Sequence, residues 1–288
     1  MGIHANFTMP LSSRISTWVT LGVVVATGNC ATVCDRETLR AATNRYLIAQ
    51  STGQVGWLQS ALATNATYWE NLVKLDITNS TLSQSLRVDY SRTSIDTTQC
   101  ATYTELIATD ARKPYTIAMQ LRFDPSSSKI TKLDGIVTTT GDFYFNASHA
   151  LHYALREDWS PISTEKQDSR AALQAAADAY YDVFVDKTVK VPWGTPCTRL
   201  EGGYLDADGD CNTDIPDVTI HTVDRRYVID ETLGTVDVIS NFGILGPDSH
   251  EFRIVNGTIR AIHSMTLCRP NFNCGVAMPD ILSQDIGF

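Results

Sequence analysis

Arg199 and Glu201 stand two residues apart in PCTRLEGG, a spacing that places both side chains on one face if the segment is a strand. An arginine and a carboxylate so placed could bind a carboxylate or anhydride substrate, with Arg199 as the anion partner. On an open surface the same pair would contribute only ~0–1 kcal/mol. The neighbouring residues argue for a pocket: Tyr180 and Tyr181 close an apolar helix just upstream, and Trp193 and Cys197 lie beside the pair. Farther on, His263 shares a strand face with Ala261 and Met265 and could act as a general base near neutral pH. A lone strand histidine is otherwise a hydrogen-bonded structural residue. His250, next to Glu251, ranks behind it, and Asp230-Glu231 are expected in a solvated turn before Leu233-Gly234. The catalytic candidates are therefore His263, Arg199, Glu201 and Tyr180, with Tyr181, Trp193 and Asp134 as substrate-binding candidates.

Other chemistry is poorly represented. Asp206-Ala-Asp208-Gly-Asp210-Cys211-Asn212-Thr-Asp214 has oxygen ligands at the alternate positions of a calcium loop, but Cys211 stands where glycine is needed and no glutamate closes it. A solvated acidic turn tied by Cys211 is the expectation, and no metal is assigned. The chain has no G-x-S-x-G elbow, phosphate-binding loop, H-E-x-x-H or G-x-G-x-x-G. Proton-transfer chemistry without a cofactor remains. With a net charge of −9 and no cluster of Lys and Arg, the chain lacks the basic footprint of a nucleic-acid binder.

The N-terminal segment reads as a signal peptide, assigned to residues 1–30: Arg14, then an apolar run Ile15 to Ala26 of about a dozen residues, then small residues at Ala26, Gly28 and Ala31. The run is too short for the roughly 20 residues of a spanning helix, so no membrane partner is expected after cleavage. An oxidising, secretory or extracellular destination suits the seven cysteines. Removing Cys30 with the signal leaves Cys34, Cys100, Cys197, Cys211, Cys268 and Cys274. Local spacing suggests Cys197–Cys211 and Cys268–Cys274, which leaves Cys34–Cys100. Asn65, Asn79, Asn146 and Asn256 head glycosylation sequons and should lie on exposed loops; the sequon at Asn6 falls within the signal.

What must position these residues is a duplicated element pattern. Arg36, Leu39, Ala42 and Tyr46 recur in register as Arg170, Leu173, Ala176 and Tyr180, each set marking one face of an amphipathic helix. Each half then closes on a strand, a polar turn and a strand. Phe123, Ile130, Leu133 and Ile136 match Phe252, Ile259, Ile262 and Met265, with Pro125-Ser-Ser-Ser in the first turn and Asn256-Gly257, a strong hairpin signal, in the second. Asp134 and His263 occupy matched positions, whereas the first half's equivalent of the Arg-x-Glu strand, around Thr67-Tyr68-Trp69-Glu70, lacks the arginine. Domains are thus expected at 34–155 and 169–288, joined by a polar linker at 156–168.

A helix followed by a curved antiparallel sheet resembles the cone-shaped α+β fold of the ketosteroid-isomerase and SnoaL-like superfamily. The segments RAALQAAADAYYD, PWGTPCTRLEGG, RRYVIDETLGTVDVISNFG and PDSHEFRIVNGTIRAIHSMTLC resemble a family of secreted fungal proteins with two such halves. The resemblance implies two tandem cones related by a pseudo-twofold axis, the pair that single-domain relatives make as dimers. The mature chain would then be a monomer with an internal pseudo-dimer, its seam drawn from Val236, Val238, Ile239, Ile117 and Met119. It also implies a cofactor-independent isomerase or cyclase of secondary metabolism, acting on a small-molecule substrate of polyketide type. Dimerising cyclisation of maleic anhydride monomers is one such reaction. The alternative is a non-catalytic secreted protein that binds a small apolar metabolite.

Overall fold

A computed structural model describes residues 1, 2, 34–213 and 215–268. The signal segment, Cys274 and Asp214 lie outside the described residues. The first half opens with helix α1, Arg36–Thr52, whose N-terminus is capped by Asp35 accepting from the Thr38 amide at 2.8 Å. Six strands follow: β1 Leu62–Glu70, β2 Val73–Leu75, β3 Tyr90–Asp96, β4 Ala101–Ala108, β5 Tyr115–Phe123 and β6 Ile130–Thr138. A short helix, α2 Ala147–Ala154, leads toward the second half, which begins with α3, Arg170–Asp182, capped by Ser169. Strands β7 Trp193–Glu201, β8 Tyr204–Asp208, β9 Thr222–Asp230, β10 Thr235–Phe242, β11 Gly246–Val255 and β12 Thr258–Thr266 complete it.

The two sheets share one topology. Their strand orders are β2-β1-β6-β5-β4-β3 and β8-β7-β12-β11-β10-β9, with β1–β6 and β7–β12 as the parallel pairs and the remaining pairings antiparallel. The fold is therefore α+β, two tandem cone-like domains, each a curved sheet with its helix on the concave side. The β11–β12 turn is made by Asn256 (φ 53°) and Gly257 (φ 68°), the left-handed pair its Asn-Gly sequence demands. Leu39 and Tyr46 of α1 pack on Ile117, Met119 and Leu121 in one cone, and Leu173 and Tyr180 of α3 pack on Val236, Val238 and Phe252 in the other.

This allocation corrects the expected seam. Strand alternation sends Ile117, Met119, Val236 and Val238 into their own cones, and the opposite faces meet. The seam's apolar contacts are Ala101, Tyr103, Ala118 and Ile136 against Val228, Ile239 and Met265, so only Ile239 of the expected set lies there. The rest of the seam is polar. Arg36 clasps Asp230, and Arg170 clasps Asp96, with each guanidinium giving two hydrogen bonds of 2.7–2.8 Å. Asp230, expected in a solvated turn, is therefore buried. The linker is more than a tether: buried Trp159 lies beneath the Arg92 guanidinium at 3.4 Å, and Glu157 reaches His263.

Cys34–Cys100 staples α1 to the β3–β4 turn, and Cys197–Cys211 ties β7 to the segment after β8, with Cα separations of 5.2 and 5.4 Å. Cys268 is disulfide-bonded as well; its expected partner Cys274 lies outside the described residues. No helix among the described residues is long and apolar enough to cross a membrane.

Candidate active site in the second cone

The concave face of the second sheet carries ionisable groups where the first carries apolar ones. On β11 the inward positions are Asp248, His250 and Phe252; the matching positions on β5 are Met119, Leu121 and Phe123. On β7 they are Arg199 and Glu201, where β1 has Tyr68 and Glu70; on β12 and β6, Thr266 replaces Val137. In the first cone the remaining charge is spent locally, since Glu70 accepts from the Tyr68 hydroxyl at 2.7 Å and from the amide and hydroxyl of Thr81. The second cone keeps a small cavity of about 40 Å³ between α3, the sheet and a strap from the end of the first half. By volume that holds about three waters.

Asp248, fully buried, is the anchor of the cavity wall. One carboxylate oxygen lies 2.6 Å from Nδ1 of His250 and the other accepts from the Thr266 hydroxyl at 2.6 Å. An anionic partner at Nδ1 holds the proton there, so Nε2 is left as an acceptor for the Tyr180 hydroxyl 3.2 Å away. The imidazole is clamped between aromatic rings, Phe242 and Phe252 stacked on it, Tyr180 tilted against it and Tyr181 edge-on. Burial raises the Tyr180 phenol above its ordinary pKa; Arg199 pulls it down in part, and Glu201 and Asp248 push it up again. Tyr180 therefore stays protonated and can donate. The chain Asp248–His250–Tyr180 is a base oriented by a carboxylate and ending on a hydroxyl at the cavity surface.

Opposite it stands Arg199, side chain 3% exposed. Its guanidinium pairs with Asp206, donates to the Thr213 carbonyl at 2.9 Å, and has Glu201 at 3.7 Å from Nε. Two acceptors on its Nη2 edge, Asp206 and the Thr213 carbonyl, thus come from the chain itself. Asp206, expected in a solvated acidic turn, sits instead on β8 facing that arginine.

The strap that closes the mouth comes from Phe143 and Tyr144. It lies against Gly202 and Gly203, where any Cβ would run into the carbonyl oxygens of Phe143 and Asn146. Tyr144 packs on Tyr204 with ring centroids 5.0 Å apart. Phe143 belongs to the second core although it falls within the boundaries expected for the first domain.

Of the residues picked from sequence, Tyr180, Arg199 and Glu201 line one cavity. Tyr181 is buried behind it with its hydroxyl 3.4 Å from the Val238 carbonyl, and Trp193 packs on Tyr180 at 6.0 Å. His263 and Asp134 lie elsewhere. On β12, Ile262 and Ser264 point into the cone, so His263 faces the seam, 2.7 Å from Glu105 and 2.5 Å from Glu157. Burial opposes its charged form, but the two carboxylates outweigh burial and lift its pKa to about 10. Asp134 likewise faces the seam, paired with Lys132 and Arg226. A doubly paired imidazolium is a poor base and has no access to the cavity.

The sequence reading set His250 behind His263, gave Asp206 to a solvated acidic turn and did not single out Asp248. The signal was available: Asp248 and His250 share the i, i+2 spacing used for Arg199 and Glu201. Aligning the repeats also sets Asp248 and His250 opposite Met119 and Leu121, a change from apolar to ionisable at core positions.

Comparisons with known proteins locate the chain as follows. No curated protein matches it. Among solved structures, an NTF2-like protein of unknown function from Shewanella baltica OS155 is similar at 10% identity and a TM-score of 0.28, over 36% of this chain and 94% of that one. AclR from Streptomyces galilaeus, a candidate hydroxylase, is similar at 10% identity and a TM-score of 0.27, over 50% of this chain and 97% of that one. A family model described as a domain of unknown function (DUF8021) matches residues 166–266, from just before α3 through the end of β12.

Proposed function

We propose that the second cone is the active site of a cofactor-independent acid–base enzyme of the isomerase or cyclase type, working in the secretory pathway or outside the cell. The observation that carries the reading is the Asp248–His250–Tyr180 chain buried in an aromatic cavity. With the Tyr180 hydroxyl turned from His250 Nε2 to the substrate oxygen, Nε2 takes a proton from the substrate, Asp248 stabilises the imidazolium so formed, Tyr180 holds the developing oxyanion, and Nε2 returns the proton to the substrate at its new position. Removing water from this small cavity strengthens each of those interactions. Arg199, Glu201 and Asp206 form the facing wall. The disulfides fit an oxidising compartment.

Cavity size bears on the substrate. About 40 Å³ admits the reacting fragment of a molecule; two maleic anhydride monomers at once would require the Phe143–Tyr144 strap to lift. The reading therefore centres on enolisation, dehydration or ring closure within one substrate, with dimerising cyclisation as its extension.

The test is hydrogen exchange. Purified protein in deuterated buffer is incubated with a panel of small ketones, enones, lactones and alkyl maleic anhydrides, and loss of acidic C–H signals is followed by NMR. Catalysed exchange that His250→Gln abolishes is the expected result. Exchange no faster than buffer across the panel, from protein shown to be folded, counts against catalysis; stoichiometric binding without exchange would select the metabolite-binding alternative.

A further inference from the structure

We infer that the second-cone cavity selects uncharged substrates and rejects carboxylates, with Glu201 and Asp206 as the residues that enforce the choice. This inference rests on the active-site reading above and specifies its substrate class. Taken at formal charge, the cavity lining sets Glu201 and Asp206, with Asp248 behind His250, against the single guanidinium of Arg199. Arg199 does not offset them freely, because its Nη2 edge is already taken by Asp206 and the Thr213 carbonyl, and Glu201 lies 3.7 Å from Nε. An entering carboxylate that took the Nη2 edge would have to displace an acceptor that the chain already supplies, and one at Nε would lie against Glu201. It would then sit beside these carboxylates with only a few waters to screen them. A carbonyl or hydroxyl compound meets neither obstacle. It can accept from the Tyr180 hydroxyl, lie against the Phe184 and Phe242 rings, and use the Ser264 side of the wall.

The placement of the two acids supports a role in selection. Glu70 stands at the position matching Glu201 in the first cone, but there the residue matching Arg199 is Tyr68, and Glu70 is used up by Tyr68 and Thr81. In the second cone an arginine stands at that position, and Asp206 from β8 pairs with it. Arg199 is in this sense a positioning residue, holding two carboxylates at the cavity wall.

Acetate, acetamide and acetamidinium have nearly one shape and differ in charge, so they separate charge from fit. Each is titrated into the full-length mature protein while the ring C–H resonances of His250 are followed by NMR, assigned by their loss in His250→Gln. Acetamide should shift the His250 signals at least ten-fold more tightly than acetate does. Asp206→Asn should narrow that ratio by about ten-fold or more, by freeing part of the Arg199 edge. Glu201→Gln is the second variant, to be used if Asp206→Asn does not fold, and it should act in the same direction. Acetate binding as tightly as acetamide in the wild type, no response to any of the three, or an unchanged ratio in the folded variant would each overturn the inference. Tighter acetamidinium binding upholds rejection of anions but overturns selection for an uncharged ligand. Acetamide binding in a protein that catalyses no exchange leaves this inference standing and removes the catalytic reading; acetate binding in an active protein does the reverse.

Discussion

Arg36 at the start of the first helix and Asp230 at the end of a strand in the other half form a two-pronged ion pair, Nη1 to Oδ1 at 2.7 Å and Nη2 to Oδ2 at 2.8 Å. The duplication supplies its twin, Arg170 with Asp96. Each aspartate also accepts a backbone amide across the seam, from Ile95 and Ile229 respectively, at 2.8 and 3.0 Å. Both carboxylates are fully buried, whereas Arg36 is a third exposed. Removing the arginine strands a fully buried carboxylate, whereas removing the aspartate leaves a guanidinium that water can reach, so Arg36→Ala should cost about 3–5 kcal/mol and Asp230→Ala less. Urea unfolding of the two variants checks the order, and equal small losses would show that the clasp does not hold the halves.

The seam makes stability depend on pH. His263 is raised to about 10, against burial, by Glu105 and Glu157. A raised histidine stabilises fully below its unfolded pKa, near 6.5, and loses that contribution as pH climbs toward 10. Glu251 and Asp237 change in the same sense. Burial raises both, Asp237 strongly, so above the ordinary carboxyl range folding must take up protons that the unfolded chain has released, and the cost grows with pH. Glu105 is lowered to about 2: burial would raise it, but His263 and Arg92 prevail, so its contribution survives down to strong acid. The melting temperature should be highest between about pH 5 and 6.5 and fall steadily to pH 10. His263→Gln should lower the maximum and flatten that alkaline slope; an unchanged slope would mean the imidazolium is not the group responsible.

Catalysis and seam should separate cleanly. His250→Gln and Asp248→Asn are expected to reduce exchange by roughly 10²–10⁴-fold. His263→Gln should reduce stability while leaving the exchange rate of the folded protein unchanged. Circular dichroism accompanies each assay, and a His263 variant that is folded but inactive would pass the catalytic assignment to the seam.

Internal pairing predicts a monomer. With the two sheet backs already covering each other, light scattering on deglycosylated protein should return the mass of one chain. Residues 34–155 alone would bare Arg92, Glu105, Asp96 and Tyr103 and should self-associate or fail to fold. A soluble, monomeric first half would contradict the pairing.

All four sequon asparagines in the described residues are exposed. Asn146 has a second use, its Oδ1 capping α2 through the His149 amide at 3.1 Å, while glycosylation would take Nδ2. Asn146→Asp should lose the glycan and keep the cap; Asn146→Ala should lose both, at a further cost of about 1 kcal/mol. Mass spectrometry and thermal melts of the pair test this, and equal melting temperatures would remove the cap argument.

The sequence by itself carried what is local or repeated. Helix faces at Leu39, Tyr46, Leu173 and Tyr180, the Asn256-Gly257 turn and Cys197–Cys211 were legible because periodicity, turn chemistry and short cysteine spacing are written along the chain, and Cys34–Cys100, 66 residues apart, followed only as the pair left over. The duplication was legible because both halves keep the same core positions. Only the tertiary structure decided which strand face turns inward, and that question governed the site. A shift of one residue along β12 separates Ser264 in the cavity from His263 in the seam, and both faces of this sheet are buried, so hydrophobic alternation could not distinguish them. The same ambiguity placed Val236 and Met119 in the cones instead of between them. Partners brought together from distant segments, Asp206 for Arg199 and Glu157 for His263, depend on sheet order and on the path of the linker, which no spacing within either segment encodes.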